Sequence, residues 1–131
     1  MKTQLKITLF ILFISVITHN IGCVDKPDKK MAIQLVVVTA YNCNSCSTVE
    51  DTLQYIQRID SSVEIKRIDI HNPEGSMYVS QYHLWRVPVY LFLDSNGMEL
   101  YRLEGEQSQS EIYQALNFAK ERYAHLIKKS K

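Results

Sequence analysis

"TAYNCNSCSTVEDTLQYI", residues 39–56, contains two cysteines three positions apart, Cys43 and Cys46. The residues that lead into it, 33–40, form a nearly continuous apolar and β-branched run, which is typical of a strand covered on both faces. After the second cysteine, apolar residues recur at helical spacing: Val49, Leu53 and Ile56. The stretch therefore joins a buried strand to a helix, and its two cysteines could ligate a metal, staple a loop or exchange electrons.

The segments that follow alternate between the patterns of strands and helices. A second strand is predicted over 63–70, and a short helix over 72–83 begins with Asn and Pro, a good cap and first-turn pair. Two further strand-like runs, 87–93 and 98–105, flank the sequence DSNG at 94–97. Asn-Gly between such runs is the strongest short-range signal of a β-hairpin.

A final helix is predicted to begin near Ser110 and Glu111. Its apolar residues share one face: Ile112, Leu116, Ala119, Tyr123 and Leu126. The element order is therefore β-α-β-α-β-β-α. This order predicts an α/β fold with a mixed central sheet, in which a parallel βαβ half precedes an antiparallel hairpin and helices flank the sheet.

The beginning of the chain has the features of an export signal. Lys2 and Lys6 precede an apolar run, ITLFILFISVI at 7–17. That run is too short for a membrane-spanning helix, which needs roughly 20 residues, but it fits the core of a signal peptide. We therefore predict a signal peptide over 1–22. A buried strand or helix and an uncleaved anchor are the alternatives.

The segment HNIGC, residues 19–23, resembles the signal that directs lipid attachment to bacterial lipoproteins. In that family a small residue precedes a cysteine that is lipidated and becomes the mature N-terminus, as glycine precedes Cys23 here. Asn20 departs from the leucine-like residue that the family usually has. The resemblance implies a lipid-attached tether over 23–31 and a folded domain over 32–131, held on the extracytoplasmic side of a membrane in a bacterial cell envelope.

Charge and cysteine count also bear on the class of protein. Removal of the signal peptide takes Lys2 and Lys6 from the 15 basic residues and leaves 13, against 14 acidic residues. Nucleic-acid binding needs a basic surface, so this class is excluded. Lipidation of Cys23 would leave Cys43 and Cys46 as one pair, in a compartment where disulfides persist.

The two cysteines of the pair differ in their predicted chemistry. Cys43 falls where the first strand ends and the helix begins, and the positive end of a helix stabilises a thiolate, the attacking species. Cys46 lies one turn further on, on the same face as Val49 and Leu53, and is expected to point toward the core. Residues at i and i+3 of a helix are close enough for a disulfide. We therefore predict that Cys43 attacks and that Cys46 resolves the mixed disulfide.

The chain from 32 to 127 resembles the thioredoxin family. Besides CNSC at 43–46, the stretch IDIHNPEGSMYVSQYHLWRVPVYLFLDSNGMELYRLEG looks like the second half of a thioredoxin, with its Asn-Pro helix start, Val-Pro, Asn-Gly hairpin and final glycine. The resemblance implies the thioredoxin fold for the mixed sheet. It also implies thiol–disulfide oxidoreductase activity at the CxxC pair.

The same resemblance assigns substrate-binding residues. It implies that the peptide bond between Val87 and Pro88 is cis and lies beside the cysteines, and that the backbone of Val87 pairs with the substrate chain. Gly105 would line the same groove. The alternative for Pro88 is an ordinary proline at the start of a strand.

Several positions depart from the thioredoxin pattern. Asn42 replaces the usual tryptophan before the first cysteine, and Asn44 and Ser45 replace the central Gly-Pro. Val37 occupies the place of a buried carboxylate, so the proton acceptor for the resolving cysteine is unassigned. Lys66 matches a lysine that thioredoxins place near this site, where it would favour a thiolate. A strand lysine that faces solvent is the alternative.

Trp85, the only tryptophan, falls in a loop that resembles the substrate-facing rim of the family. It offers an aromatic platform to partners or packs against the protein's own core.

Two other functions compete with the oxidoreductase interpretation. The first is a metal-handling role, such as copper carriage, because thiolates hold soft metal ions. A structural zinc site, however, needs about four ligands, whereas CxxC supplies two and His71, His83 and His125 form no paired motif. The second alternative is a non-catalytic binding module with a structural disulfide. The favoured function is an exported, membrane-tethered thiol–disulfide oxidoreductase that acts on cysteine-containing proteins. It would use an unidentified redox partner, and we expect no metal and no organic cofactor.

Overall fold

The structure is a computed structural model that describes residues 33–130. The predicted signal peptide, the tether and Cys23 lie outside the described residues. Within the described range, no helix combines the length and the apolarity needed to cross a membrane.

The elements follow the predicted order. The strands are β1 (Gln34–Thr39), β2 (Glu64–Asp69), β3 (Val89–Leu93) and β4 (Glu99–Glu104). The helices are α1 (Val49–Ile59), α2 (Pro73–Tyr82) and α3 (Gln109–Lys129), and a 3₁₀ turn (Asn44–Cys46) precedes α1. The predicted order of strands and helices is therefore confirmed.

The four strands form one mixed sheet in the order β2-β1-β3-β4. Strand β1 pairs in parallel with β2, and Val37 lies opposite Arg67 in that pairing. It pairs antiparallel with β3, which in turn pairs antiparallel with β4. The predicted parallel half followed by an antiparallel hairpin is confirmed.

Strand β1 is buried on both faces, as its apolar run predicted. Because side chains alternate across a strand, Leu35 and Val37 belong to one core, which α1 and α3 cover. Val36 and Val38 belong to the other core, which the end of α2 covers through Tyr82. The chain that leaves β1 thus starts from a strand held between two layers of helices.

The hairpin at 94–97 has the turn that Asn-Gly predicts. Gly97 has φ +79°, a backbone conformation that favours glycine. The buried carboxylate of Asp94 accepts hydrogen bonds from the backbone N–H of Asn96 at 2.8 Å and of Met98 at 2.9 Å. These bonds fix the register in which β3 returns as β4.

Helix α3 is capped by Ser108, slightly before the predicted start. Its hydroxyl accepts a hydrogen bond from the backbone N–H of Glu111, and the Glu111 carboxylate accepts one from the backbone N–H of Ser108 at 2.7 Å. This reciprocal pair is a capping box. Four of the five predicted core residues are buried, but Leu126 is 38% exposed and Ile127 packs against the core instead.

We expect Ser108→Ala to lower the free energy of unfolding by about 1 kcal/mol, because the substitution leaves the backbone N–H of Glu111 without its acceptor. Urea denaturation followed by circular dichroism measures the change. Ser80→Ala, at an exposed position of α2, is the matched control and should stay within about 0.5 kcal/mol of the parent. An equal loss in both variants would mean that the cap contributes nothing specific.

A disulfide beside a charged groove

Cys43 and Cys46 form a disulfide, with their α-carbons 5.3 Å apart. Cys43 caps the 3₁₀ turn, and the backbone N–H of Cys46 donates to its carbonyl at 3.1 Å. A 3₁₀ helix has three residues per turn, so residues i and i+3 lie directly above one another. The turn therefore holds the two cysteines at bonding distance.

The α-helix begins later than the sequence predicted. Helix α1 starts at Val49, and the segment between it and Cys43 is a 3₁₀ turn followed by a second turn at 47–48. The positive end of the α1 dipole is therefore farther from Cys43 than predicted and stabilises its thiolate less. Charged side chains near Cys43 then contribute a larger share of that stabilisation.

The two half-buried sulfurs have different surroundings. Cys46 packs against the core that α1 and α3 cover, whereas Cys43 belongs to neither core. The Ser45 hydroxyl lies 3.4 Å from Sγ of Cys43. It must donate this hydrogen bond, because a disulfide sulfur carries no proton. We call Cys43 the outer sulfur because, unlike Cys46, it packs against neither core.

The strand register brings three loops to the same edge of the sheet as the disulfide. Val38 near the end of β1 pairs with Val89 at the start of β3, and Val89 pairs with Glu104 at the end of β4. The residues just before β3 and just after β4 therefore lie next to the chain that leads to Cys43. This edge is where sequence analysis places the substrate-binding residues.

Pro88 and Gly105 are joined at that edge. The peptide bond between Val87 and Pro88 is cis. The backbone N–H of Gly105 donates to the carbonyl of Pro88 at 2.7 Å, and Gly105 has φ +83°. A β-carbon at Gly105 would meet nothing within 4 Å, so its backbone angle, not crowding, favours glycine. The roles of these residues in substrate binding stay predictions.

A groove of about 310 Å³ opens beside the disulfide. Both cysteines line it, together with Val37 and two charged residues that sequence analysis missed, Glu50 and Arg67. Arg67 on β2 donates to the Glu50 carboxylate on α1 through two nitrogens, each at 3.0 Å. These hydrogen bonds lower the pKa of Glu50 below its ordinary value.

A family model described as a thioredoxin-like domain matches residues 24–120. The chain belongs to the thioredoxin-like family. No curated protein sequence matches it. A thioredoxin-like domain whose CxxC pair forms a disulfide supports thiol–disulfide oxidoreductase function in general.

Solved structures of thioredoxins share the fold. The thioredoxin of Fasciola hepatica is 19% identical with a TM-score of 0.57, over 68% of this chain and 82% of that protein. Thioredoxin O2 of Arabidopsis thaliana in its oxidized state is 15% identical with a TM-score of 0.57, over 65% of this chain and 72% of that one. An uncharacterized thioredoxin-like protein of Clostridium perfringens is 20% identical with a TM-score of 0.60, over 66% and 69%.

Trp85 of this thioredoxin-like domain is 88% exposed, so it does not pack into the core. It lines a separate pocket of about 250 Å³ with Val87 and Arg86. Three apolar side chains complete the lining: Ile70, Val79 and Leu84. The alternative that Trp85 packs against the core is therefore wrong, and its role as a platform for partners stays a prediction.

Lys66 lies on the face of the sheet away from the groove. Its ammonium group bonds to Glu74 at 2.5 Å and lies 5.5 Å from the centre of the Tyr78 ring, both on α2. The hydrogen bond to Glu74 raises the pKa of Lys66. The expectation that Lys66 favours a thiolate at the cysteines is therefore wrong, because its neighbour Arg67 is the residue that faces the groove.

Within residues 33–130, no group of three or more His, Cys, Asp and Glu side chains is arranged to hold a metal ion.

Proposed function

We propose that this protein is a thiol–disulfide oxidoreductase that exchanges electrons with the cysteines of other proteins. One observation carries the proposal: a CxxC disulfide lines an open groove at the edge of a thioredoxin-like sheet. Exchange requires that an incoming thiolate reach one of the two sulfurs, and the groove supplies the access. Cys43, the outer sulfur, is the proposed site of attack.

The proposed reaction passes two electrons in two substitutions at sulfur. The Cys43 thiolate of the reduced protein attacks one sulfur of a substrate disulfide, and the other substrate sulfur leaves with the bonding pair. A mixed disulfide between Cys43 and the substrate results. The Cys46 thiolate then attacks Cys43, releases the substrate as a second thiolate and forms the disulfide present here. A separate redox partner must return the pair to the dithiol.

Substrate recognition is proposed at the edge that carries the disulfide. The backbone of Val87 would pair with an extended substrate segment, with Pro88 and Gly105 holding that loop in place through their hydrogen bond. The exposed indole of Trp85 would add apolar contact. These assignments rest on the thioredoxin resemblance and on the sheet register.

We propose further that the protein is exported and tethered to a membrane of a bacterial cell envelope. The proposal rests on the basic and apolar segment at 1–22 and on the lipoprotein-like sequence that ends at Cys23. A tether from Cys23 to Met31 reaches at most about 29 Å. The domain would therefore meet its substrates close to the membrane surface.

The reduction potential of the Cys43–Cys46 pair tests the function. We expect a reversible two-electron transition in glutathione or dithiothreitol buffers, measured with a Cys23→Ala background so that one thiol pair remains. A value of about −270 mV would indicate a reductase. A value of about −120 to −180 mV would indicate disulfide formation or isomerisation. A pair that never exchanges would favour a binding module with a structural disulfide.

A further inference from the structure

The groove beside the disulfide contains a charge pair for which the proposed reaction has no role yet. Val37 lines the groove where the family has a buried carboxylate, and Arg67 is its partner across the parallel strand pairing. A carboxylate nevertheless reaches the groove, from Glu50 on α1. The pair therefore links β2 to α1, the helix that follows Cys46 in the chain.

The geometry fixes the two charges relative to each other. Nε of Arg67 lies 3.0 Å from one carboxylate oxygen of Glu50, and Nη2 lies 3.0 Å from the other. The side-chain amide of Gln54 also donates to Glu50 at 3.4 Å. Two parallel hydrogen bonds of this kind specify orientation as well as adding energy. Glu50 lies in the first turn of α1, four residues beyond Cys46 in the chain.

We propose that the Glu50–Arg67 pair sets how readily the Cys43–Cys46 disulfide is reduced, with Arg67 favouring the reduced state and Glu50 opposing it. The inference rests on the proposed function and deepens it. Both residues act through the cysteine sulfurs and touch no substrate in this scheme. They are therefore positioning residues, which act on the cysteines through their charge.

The effect follows from the redox step. A thiolate of an external dithiol attacks Sγ of Cys43, the disulfide breaks, and Cys46 leaves with the bonding pair as a thiolate. The second thiol of the donor then displaces Cys43, and the donor becomes a disulfide while the protein gains two electrons. A nearby cation lowers the free energy of the thiolate, and a nearby carboxylate raises it. A more stable reduced form makes the protein easier to reduce.

No other charged side chain among the described residues lines this groove. The remaining ionisable side chain among the described residues that line the groove is Tyr41. Lys66, next to Arg67 on β2, bonds to Glu74 and lies over Tyr78 on the opposite face. Asp51, next to Glu50 on α1, lines a different cavity. The side chains of Glu50 and Arg67 are 56% and 53% exposed, so water and salt screen their effect on the sulfurs.

The test compares Arg67→Gln with Glu50→Gln in the full chain, purified in mild detergent with the Cys23→Ala background. The equilibrium constant for reduction by glutathione should fall about twofold to fivefold in Arg67→Gln and rise by a similar factor in Glu50→Gln. A tenfold change corresponds to about 30 mV for two electrons. Lys66→Gln removes the same charge one residue away and should leave the constant unchanged.

The pH profile of thiol alkylation provides a second measurement. After reduction by a phosphine, the midpoint of iodoacetamide reactivity should move to higher pH in Arg67→Gln and to lower pH in Glu50→Gln. Equal shifts of one sign in both variants, or no shift in either, would overturn the inference. If the parent protein fails to exchange with glutathione, the proposed function falls instead, and the alkylation profiles still decide the role of the pair.

Discussion

Replacing Cys43 with serine is expected to abolish disulfide exchange, whereas replacing Cys46 with serine is expected to trap a covalent complex with the substrate. A serine hydroxyl is not ionised near neutral pH and cannot replace a thiolate as the attacking group. The loss in exchange rate for Cys43→Ser should be on the order of 10³-fold or more. The rate of reduction of a disulfide-containing peptide measures it.

The outcome for Cys46→Ser differs because the first step needs only the outer sulfur. The Cys43 thiolate still forms the mixed disulfide, but no second thiolate lies beside it to release the substrate. Non-reducing electrophoresis and intact-mass spectrometry should show an adduct of the protein with one peptide. Dithiothreitol should reduce the mixed disulfide and release the peptide.

The double variant Cys43→Ser with Cys46→Ser controls for binding without chemistry and should form no adduct. An adduct with Cys43→Ser and none with Cys46→Ser would reverse the two roles. Failure of the parent protein to exchange with the peptide, together with no adduct in either single variant, would support a binding module with a structural disulfide. The packing of Cys46 against the core, which Cys43 lacks, is the reason to expect the first pattern.

The fold could be predicted because its signals are local. The apolar run of β1, the Asn-Gly hairpin and the Asn-Pro start of α2 each depend on residues adjacent in sequence, and each element formed within about two residues of the predicted bounds. The face of α3 was predicted less well at its end. The helical repeat of 3.6 residues carries the buried stripe past Leu126, which is partly exposed, to Ile127.

The charged groove could not be predicted, because it depends on register. Glu50 and Arg67 are 17 residues apart in sequence and meet only when β2 pairs with β1 beneath α1. A shift of one residue along a strand moves a side chain to the other face, so Lys66 and Arg67 exchange roles if the register is misjudged. The available signal was the alternation of side chains along β2. Arg67 directly follows Lys66, so the two side chains lie on opposite faces of the sheet.

Gly75→Ala is expected to destabilise the protein by about 3 kcal/mol or more, although Gly75 lies inside a helix. At an open helix position this change would stabilise by up to about 1 kcal/mol. Here a β-carbon would lie 2.0 Å from the carbonyl oxygen of Asp69 and 2.6 Å from Cα of Ile70, both backbone atoms. No side chain can move aside, so α2 must shift away from the end of β2. Urea denaturation gives the free energy of unfolding.

Ser76→Ala is the matched control, one residue along the same helix at an exposed position, and should change the free energy of unfolding by about 0.5 kcal/mol or less. A stabilised Gly75→Ala protein would contradict the close packing of α2 against the end of β2. The close approach of the two backbones explains why glycine, which weakens the helical pattern of 72–83, occupies position 75. At Gly75 the approach of two backbones outweighs helix propensity, since propensity is worth about 1 kcal/mol and the clash costs more.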